Sequence, residues 1–156
     1  MPRFGVVSVA MVTPFDNDGE LDVDAAVALA KFLVAEGNES LVVSGTTGES
    51  ATLSIEEKLT LFETISAAVT VPVIGGTTGS NTRQDVGLTA EASKLGLAAI
   101  LGVSPYYNRP SQIGIEAHFR AIASATDLAV MIYDIPKRTG RKMSNDTMIR
   151  LATDVT

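Results

Sequence analysis

Short apolar runs rich in β-branched residues recur along this chain, and longer segments of helical periodicity fill the spaces between them. The runs cover residues 6–11, 40–44, 72–75, 98–103 and 129–133, and each is predicted to be a strand. They are continuously apolar rather than alternating, as expected of strands that are covered on both faces or line a barrel. Strands of this kind alternating with helices predict βαβ units and a parallel sheet.

The helical segments carry their own start and stop signals. Asp22 or Asp24 is placed to cap the first, whose apolar stripe is Leu29, Phe32 and Leu33 and whose stop is Gly37. Ser54 and Glu57 form a capping box ahead of Leu61, Phe62, Ile65 and Val69. Asn81 or Thr82 opens a third helix, expected to end at Leu95-Gly96. Ser111 opens a fourth with Ile115, Phe119 and Ile122 facing inward, and Ser144 opens a last one through Met148, Ile149 and Leu151. The sum is about five consecutive βα units with no low-complexity linker between them. Two architectures fit, an open doubly wound sheet and part of a barrel, and periodicity does not choose between them.

Composition narrows the partners more than the fold. The 156 residues can bury a core but fall short of the roughly 250 that a complete (β/α)8 barrel typically needs. A formal charge of −6 argues against a nucleic-acid partner, which would need clustered lysine and arginine. With no cysteine, disulfides and thiolate metal sites are excluded, and the single His118 argues against a histidine metal site. No apolar run is long enough to predict a membrane span, and residues 1–5 do not read as a signal peptide. The expected location is the cytoplasm.

In either architecture the chemistry belongs at the carboxyl ends of the strands. After the second run comes Gly45-Thr46-Thr47-Gly48-Glu49-Ser50, a tight loop with backbone N–H groups and two hydroxyls available to an anion. An ordinary βα turn has the same outline, and the Gly-Lys-Ser/Thr of a nucleotide-binding P-loop is missing. After the fourth run comes Ser104-Pro105-Tyr106-Tyr107-Asn108-Arg109-Pro110, which holds two of the three tyrosines in a segment stiffened by two prolines. After the fifth, Tyr133 ends the strand and Arg138 offers a planar fork for a carboxylate, with a surface salt bridge as its structural alternative. Ser8 and Thr13-Pro14, closing the first run, read as packing and turn residues.

Residues 12–15 (Val-Thr-Pro-Phe), 45–49, 105–110 and 133–140 stand in this order at the ends of successive predicted strands. Together they resemble the pyruvate-dependent aldolase superfamily and, within it, the dihydrodipicolinate synthase family. The resemblance covers essentially the whole chain, and it implies a (β/α)8 TIM barrel of which residues 1–156 are the N-terminal part of a single domain, about the first five βα units. It implies a lyase of lysine and diaminopimelate biosynthesis. Pyruvate, held as a Schiff base on a lysine, would condense with aspartate-4-semialdehyde, with no cofactor or metal.

By the same resemblance Thr46, Tyr107 and Tyr133 form the proton relay, and the amides of Thr46 and Thr47 hold the pyruvate carboxylate. Arg138 holds the carboxylate of the semialdehyde. Tyr107 reaches across a tight dimer contact, so a dimer or tetramer is implied. Hydroxyls suit a relay because each both donates and accepts. The Thr-Thr pair and Arg138-Thr139-Gly140 favour this branch over the N-acetylneuraminate lyase-like one. A non-catalytic half-barrel binding module is the alternative from another class.

Two departures from the family pattern add expectations. The Schiff-base lysine belongs at the end of a sixth strand, beyond Thr156, and none of Lys31, Lys58, Lys94, Lys137 and Lys142 has a setting suited to a nucleophile. The polypeptide as written is therefore expected not to turn over, and its apolar first and fifth strands are expected to associate as open edges. An effector site for lysine would involve Ala51, Asn81 and Tyr106. Ile55 and Lys58 stand where such a site needs polar or histidine groups, so weak or absent lysine inhibition is expected.

Overall fold

The computed structural model describes residues 3–153; Met1 and Pro2 of the opening stretch, and residues 154–156, lie outside them. The five predicted strands all form, as β1 (Ser8–Ala10), β2 (Ser40–Val43), β3 (Val73–Gly76), β4 (Ala99–Val103) and β5 (Ala129–Tyr133). The first is shorter than expected: Val6 and Val7 lie outside it and are exposed, and the Val6 amide bonds the Glu39 side chain.

The strands pair in parallel and in sequence order, β1-β2-β3-β4-β5. That order separates the two architectures left open by the sequence. A doubly wound sheet reverses direction at a switch point and places helices on both faces. An unbroken order with right-handed crossovers puts every helix on one face and leaves the other to close on itself, as in a barrel wall.

The helices are α1 (Val23–Ala35), α2 (Ile55–Ala68), α3 (Thr82–Ala92), α4 (Gln112–Ala123), a one-turn α5 (Pro136–Thr139) and α6 (Asn145–Thr153). Their starts lie where the capping residues place them. Asp22 accepts from the Ala25 amide, Ser54 and Glu57 satisfy each other's backbone as a reciprocal box, Asn81 accepts from Gln84, and Ser111 from Gly114. Gly37 sits at φ 92 beyond α1, a left-handed conformation that suits glycine. α3 stops at Ala92, short of the expected Leu95-Gly96, and turns carry the chain on to Gly96 at φ 80. α5 was not anticipated.

The main core lies between the sheet and the α1–α3 layer, with Leu41, Val43, Leu61, Phe62, Ile65 and Ile100 buried in it. A second cluster gathers Ile115, Phe119, Met143 and Leu151 beneath α4 and α6. Two stripe residues do not follow the expected burial. Phe32 is 58% exposed, with Ala26 and Ala30 buried on α1 instead, and Ile149 of α6 is 59% exposed. No helix among the described residues is long and apolar enough to cross a membrane.

Candidate functional site

A cavity of about 310 Å³ opens at the carboxyl ends of β2 to β5. The β2 edge of it begins at Ser44, buried and held at φ 55, from which Gly45 leads into consecutive turns. The amides of Gly48, Glu49 and Ser50 donate to the carbonyls of Gly45, Thr46 and Gly45 at 3.1, 3.2 and 3.3 Å. The amides of Thr46 and Thr47 have no acceptor among the described residues. Two adjacent free amides in a tight turn are the kind of backbone nest that receives an anion.

This loop is held from two sides. Thr13 Oγ1 donates to the Gly48 carbonyl at 2.7 Å, so the end of β1 braces it, which bears out Thr13 as a packing residue. A Cβ on Gly76 would overlap the Ser44 carbonyl, so only glycine lets β3 come this close. One residue beyond the neighbouring Thr77, the Thr78 hydroxyl accepts the Val103 amide at 2.6 Å and ties the ends of β3 and β4 together across the cavity wall.

Of the residues singled out from sequence, Thr46, Ala51, Tyr106, Tyr133 and Arg138 line the cavity. Thr47 does not; it is exposed at the rim. Tyr107 does not either: it is 93% exposed, at φ 68, and projects away from the pocket of its own chain. Asn81 caps α3 through its side-chain oxygen, which commits that oxygen to the Gln84 amide. Arg138 lies on α5 with no acidic partner among the described residues, so the expected salt-bridge alternative is absent there. Thr139 locks that turn: it is buried, and its hydroxyl donates to the carbonyls of Ile135 and Arg141.

No lysine lines the cavity. Lys94 pairs with Glu91 at 2.9 Å on the surface, and Lys58 is half-buried and feels the charge of Asp85. Burial lowers the Lys58 amine and raises the Asp85 carboxyl to about 6, against the opposing pull of the Gly79 amide and of Lys58. A Cβ on Gly79 would stand 3.5 Å from both Asp85 Oδ1 and the Tyr106 hydroxyl, so this acid lies immediately behind a wall residue of the cavity.

Residues 3–156 match the model of the dihydrodipicolinate synthetase family. The chain belongs to this family. It is 50% identical over 155 residues to the 4-hydroxy-tetrahydrodipicolinate synthase of Bacillus subtilis, covering 98% of this chain and 53% of that protein. The crystal structure of a dihydrodipicolinate synthase from Bacillus anthracis matches with a TM-score of 0.94 at 45% identity, over 96% of this chain and 52% of that one. That of the Cyanidioschyzon merolae enzyme with lysine bound matches with a TM-score of 0.95 at 46% identity, over 98% and 53%. The chain thus spans about half the length of the relatives it matches, and its sheet is the N-terminal part of their TIM barrel.

Within the family frame, sequence reasoning missed Thr78 and Asp85, and it named Thr139 only as part of the segment with Arg138 and not as the residue that holds the turn. Thr78 follows a glycine pair and reads as a spacer; Asp85 sits in a polar helix and reads as a solvated acid. Only Thr139 carried a signal, its place beside Arg138 and before the glycine that ends the turn.

Proposed function

We propose that this chain supplies the pyruvate- and aldehyde-binding half of a lyase that condenses pyruvate with aspartate-4-semialdehyde to 4-hydroxy-tetrahydrodipicolinate, in lysine and diaminopimelate biosynthesis. The observation that carries the reading is one cavity lined by Thr46, Tyr133 and Arg138, next to two amides without acceptors. The free amides of Thr46 and Thr47 receive the pyruvate carboxylate. The hydroxyls of Thr46 and Tyr133 move protons as the carbonyl oxygen leaves as water and as the new carbon–carbon bond forms. Arg138 receives the carboxylate of the second substrate, favouring an acidic aldehyde over a neutral one. Tyr107, extended away from its own cavity, is suited to complete the relay in a second subunit of a dimer or tetramer.

The imine-forming lysine is not contributed by any described residue at this cavity, so residues 1–156 alone form no pyruvate imine. Membership of a biosynthetic enzyme family supports a cytoplasmic setting. Intact mass after treatment with pyruvate and borohydride tests the reading, because borohydride fixes an imine as a stable adduct. The 16.3 kDa chain is expected to show none, and a longer polypeptide carrying this sequence is expected to show one. An adduct on the 16.3 kDa chain overturns the assignment of the lysine; no adduct on the longer one overturns the lyase reading.

A further inference from the structure

The turn that carries Arg138 is fixed at three places. Thr139 holds its base, as described above. Beyond it, the Gln112 side chain donates to the Lys142 carbonyl at 2.9 Å and accepts from the Ser144 amide at 2.8 Å. Between them lies Gly140, at φ 70, whose amide closes α5 on the Pro136 carbonyl at 2.9 Å.

Gly140 is touched by a residue from another loop. A Cβ placed on it would stand 2.9, 3.4 and 3.5 Å from Nε, Nη2 and Cζ of Arg109. The guanidinium therefore packs against a bare Cα that no other residue type offers. Arg109 does not line the cavity, and among the described residues it has no acidic partner and makes no hydrogen bond through its side chain. Its own backbone is held at φ 48, two residues after Tyr107 at φ 68. The intervening Asn108 anchors the loop by donating to the Ser80 carbonyl at 2.9 Å.

We propose that Arg109 is a positioning residue for Arg138: the flat guanidinium, seated on Gly140, locks the loop bearing Tyr107 to the turn bearing Arg138. The two loops then hold one spacing, and the fork of Arg138 meets the second substrate's carboxylate already aligned. The shape of the group matters here more than its charge, because the Nε–Cζ–Nη2 edge of the guanidinium fills the space beside Gly140 and a single ammonium does not reproduce that edge. The inference rests on the reading of Arg138 given above.

The test uses the full-length enzyme, with steady-state kinetics for both substrates on Arg109→Lys, Arg109→Met and, as reference, Arg138→Ala. Both Arg109 variants are expected to raise KM for the semialdehyde about ten-fold, the loss of roughly one well-aligned charge-assisted contact. KM for pyruvate, kcat and the thermal midpoint are expected to stay near the parent's. A normal KM in Arg109→Lys with a raised one in Arg109→Met would assign the effect to charge and overturn the proposal. So would normal values in both while Arg138→Ala is impaired, or a parallel loss of kcat, both KM values and thermal stability. If Arg138→Ala leaves the semialdehyde KM unchanged, the reading of Arg138 falls, and this inference with it.

Discussion

Asp85→Asn is expected to stabilise the protein at neutral pH and not at acid pH. Asp85 is 5% exposed, and its Oδ2 has no hydrogen-bond partner among the described residues. Removal from water raises its carboxyl from 3.8 to about 6. Between those values the folded protein keeps a proton that the unfolded chain has released, so stability falls as pH rises through the window. A difference of about two pKa units corresponds to about 3 kcal/mol once the pH is above both. Asparagine removes the ionisation and leaves an oxygen for the Gly79 amide. The opposing effect is the loss of the attraction that supports the half-buried Lys58 ammonium. Burial is the largest cause of the shift at both residues, so desolvation is expected to win. Urea denaturation of both proteins from about pH 4 to pH 8 isolates the group through the difference between their stabilities. That difference should already be moving in favour of the variant at pH 4, reach up to about 3 kcal/mol, and level off above about pH 7. A difference that stays level, or turns against the variant as pH rises, would mean that the pair with Lys58 outweighs burial.

Gly76→Ala forces a Cβ into the Ser44 carbonyl, where both partners are backbone, and should destabilise by about 3 kcal/mol in the same denaturation assay. Lysine is expected to inhibit the full-length enzyme weakly or not at all, since Ile55 and Lys58 bring an apolar side chain and a like charge to where an effector site for lysine needs polar groups; inhibition by micromolar lysine in the coupled assay would refute this. Both β1 and β5 have one open edge among the described residues, and Val6 and Val7 are exposed beside β1. Sedimentation of the 156-residue chain should therefore show association that rises with concentration, whereas a persistent monomer would count against it.

The strands and most helix starts were legible because each rests on a local signal: an apolar run, or a side chain that reaches back to a nearby amide. α5 had no such signal, since a single turn opened by Pro136 is too short for periodicity to appear. Phe32 and Ile149 failed for a different reason. Periodicity says which residues share a stripe, but not whether a neighbour covers it. α1 packs on α2 and α6 on α4, so each of these helices lies at an end of the layer with one flank uncovered. Residues that would be core in a middle helix face outward there.

The site was legible in the same uneven way. Thr46, Tyr133 and Arg138 line the cavity from the ends of strands or the segments just after them, so loop position pointed to them, but Thr47 and Tyr107 in the same kind of position do not line it. Asp85 lies in a helix, and its inward aim depends on how α3 packs against the β3–α3 loop, which no spacing within α3 encodes. Net charge misleads at this scale as well. The chain carries −6 overall, yet Arg109, Lys137, Arg138, Arg141 and Lys142 belong to the two loops beside the cavity, and none is in an ion pair among the described residues. A global balance that argues against polyanions is compatible with a local field that draws in small carboxylates, because screening limits each charge to its surroundings of about 10 Å. Two acids oppose this field, Glu49 on the cavity wall and Asp134 after β5, and Glu49 is the one that lines the cavity. Its place beside the free amides of the Thr46 loop sets the proposed carboxylate subsite against a nearby negative charge, so those two amides would have to outweigh it for an anion to stay.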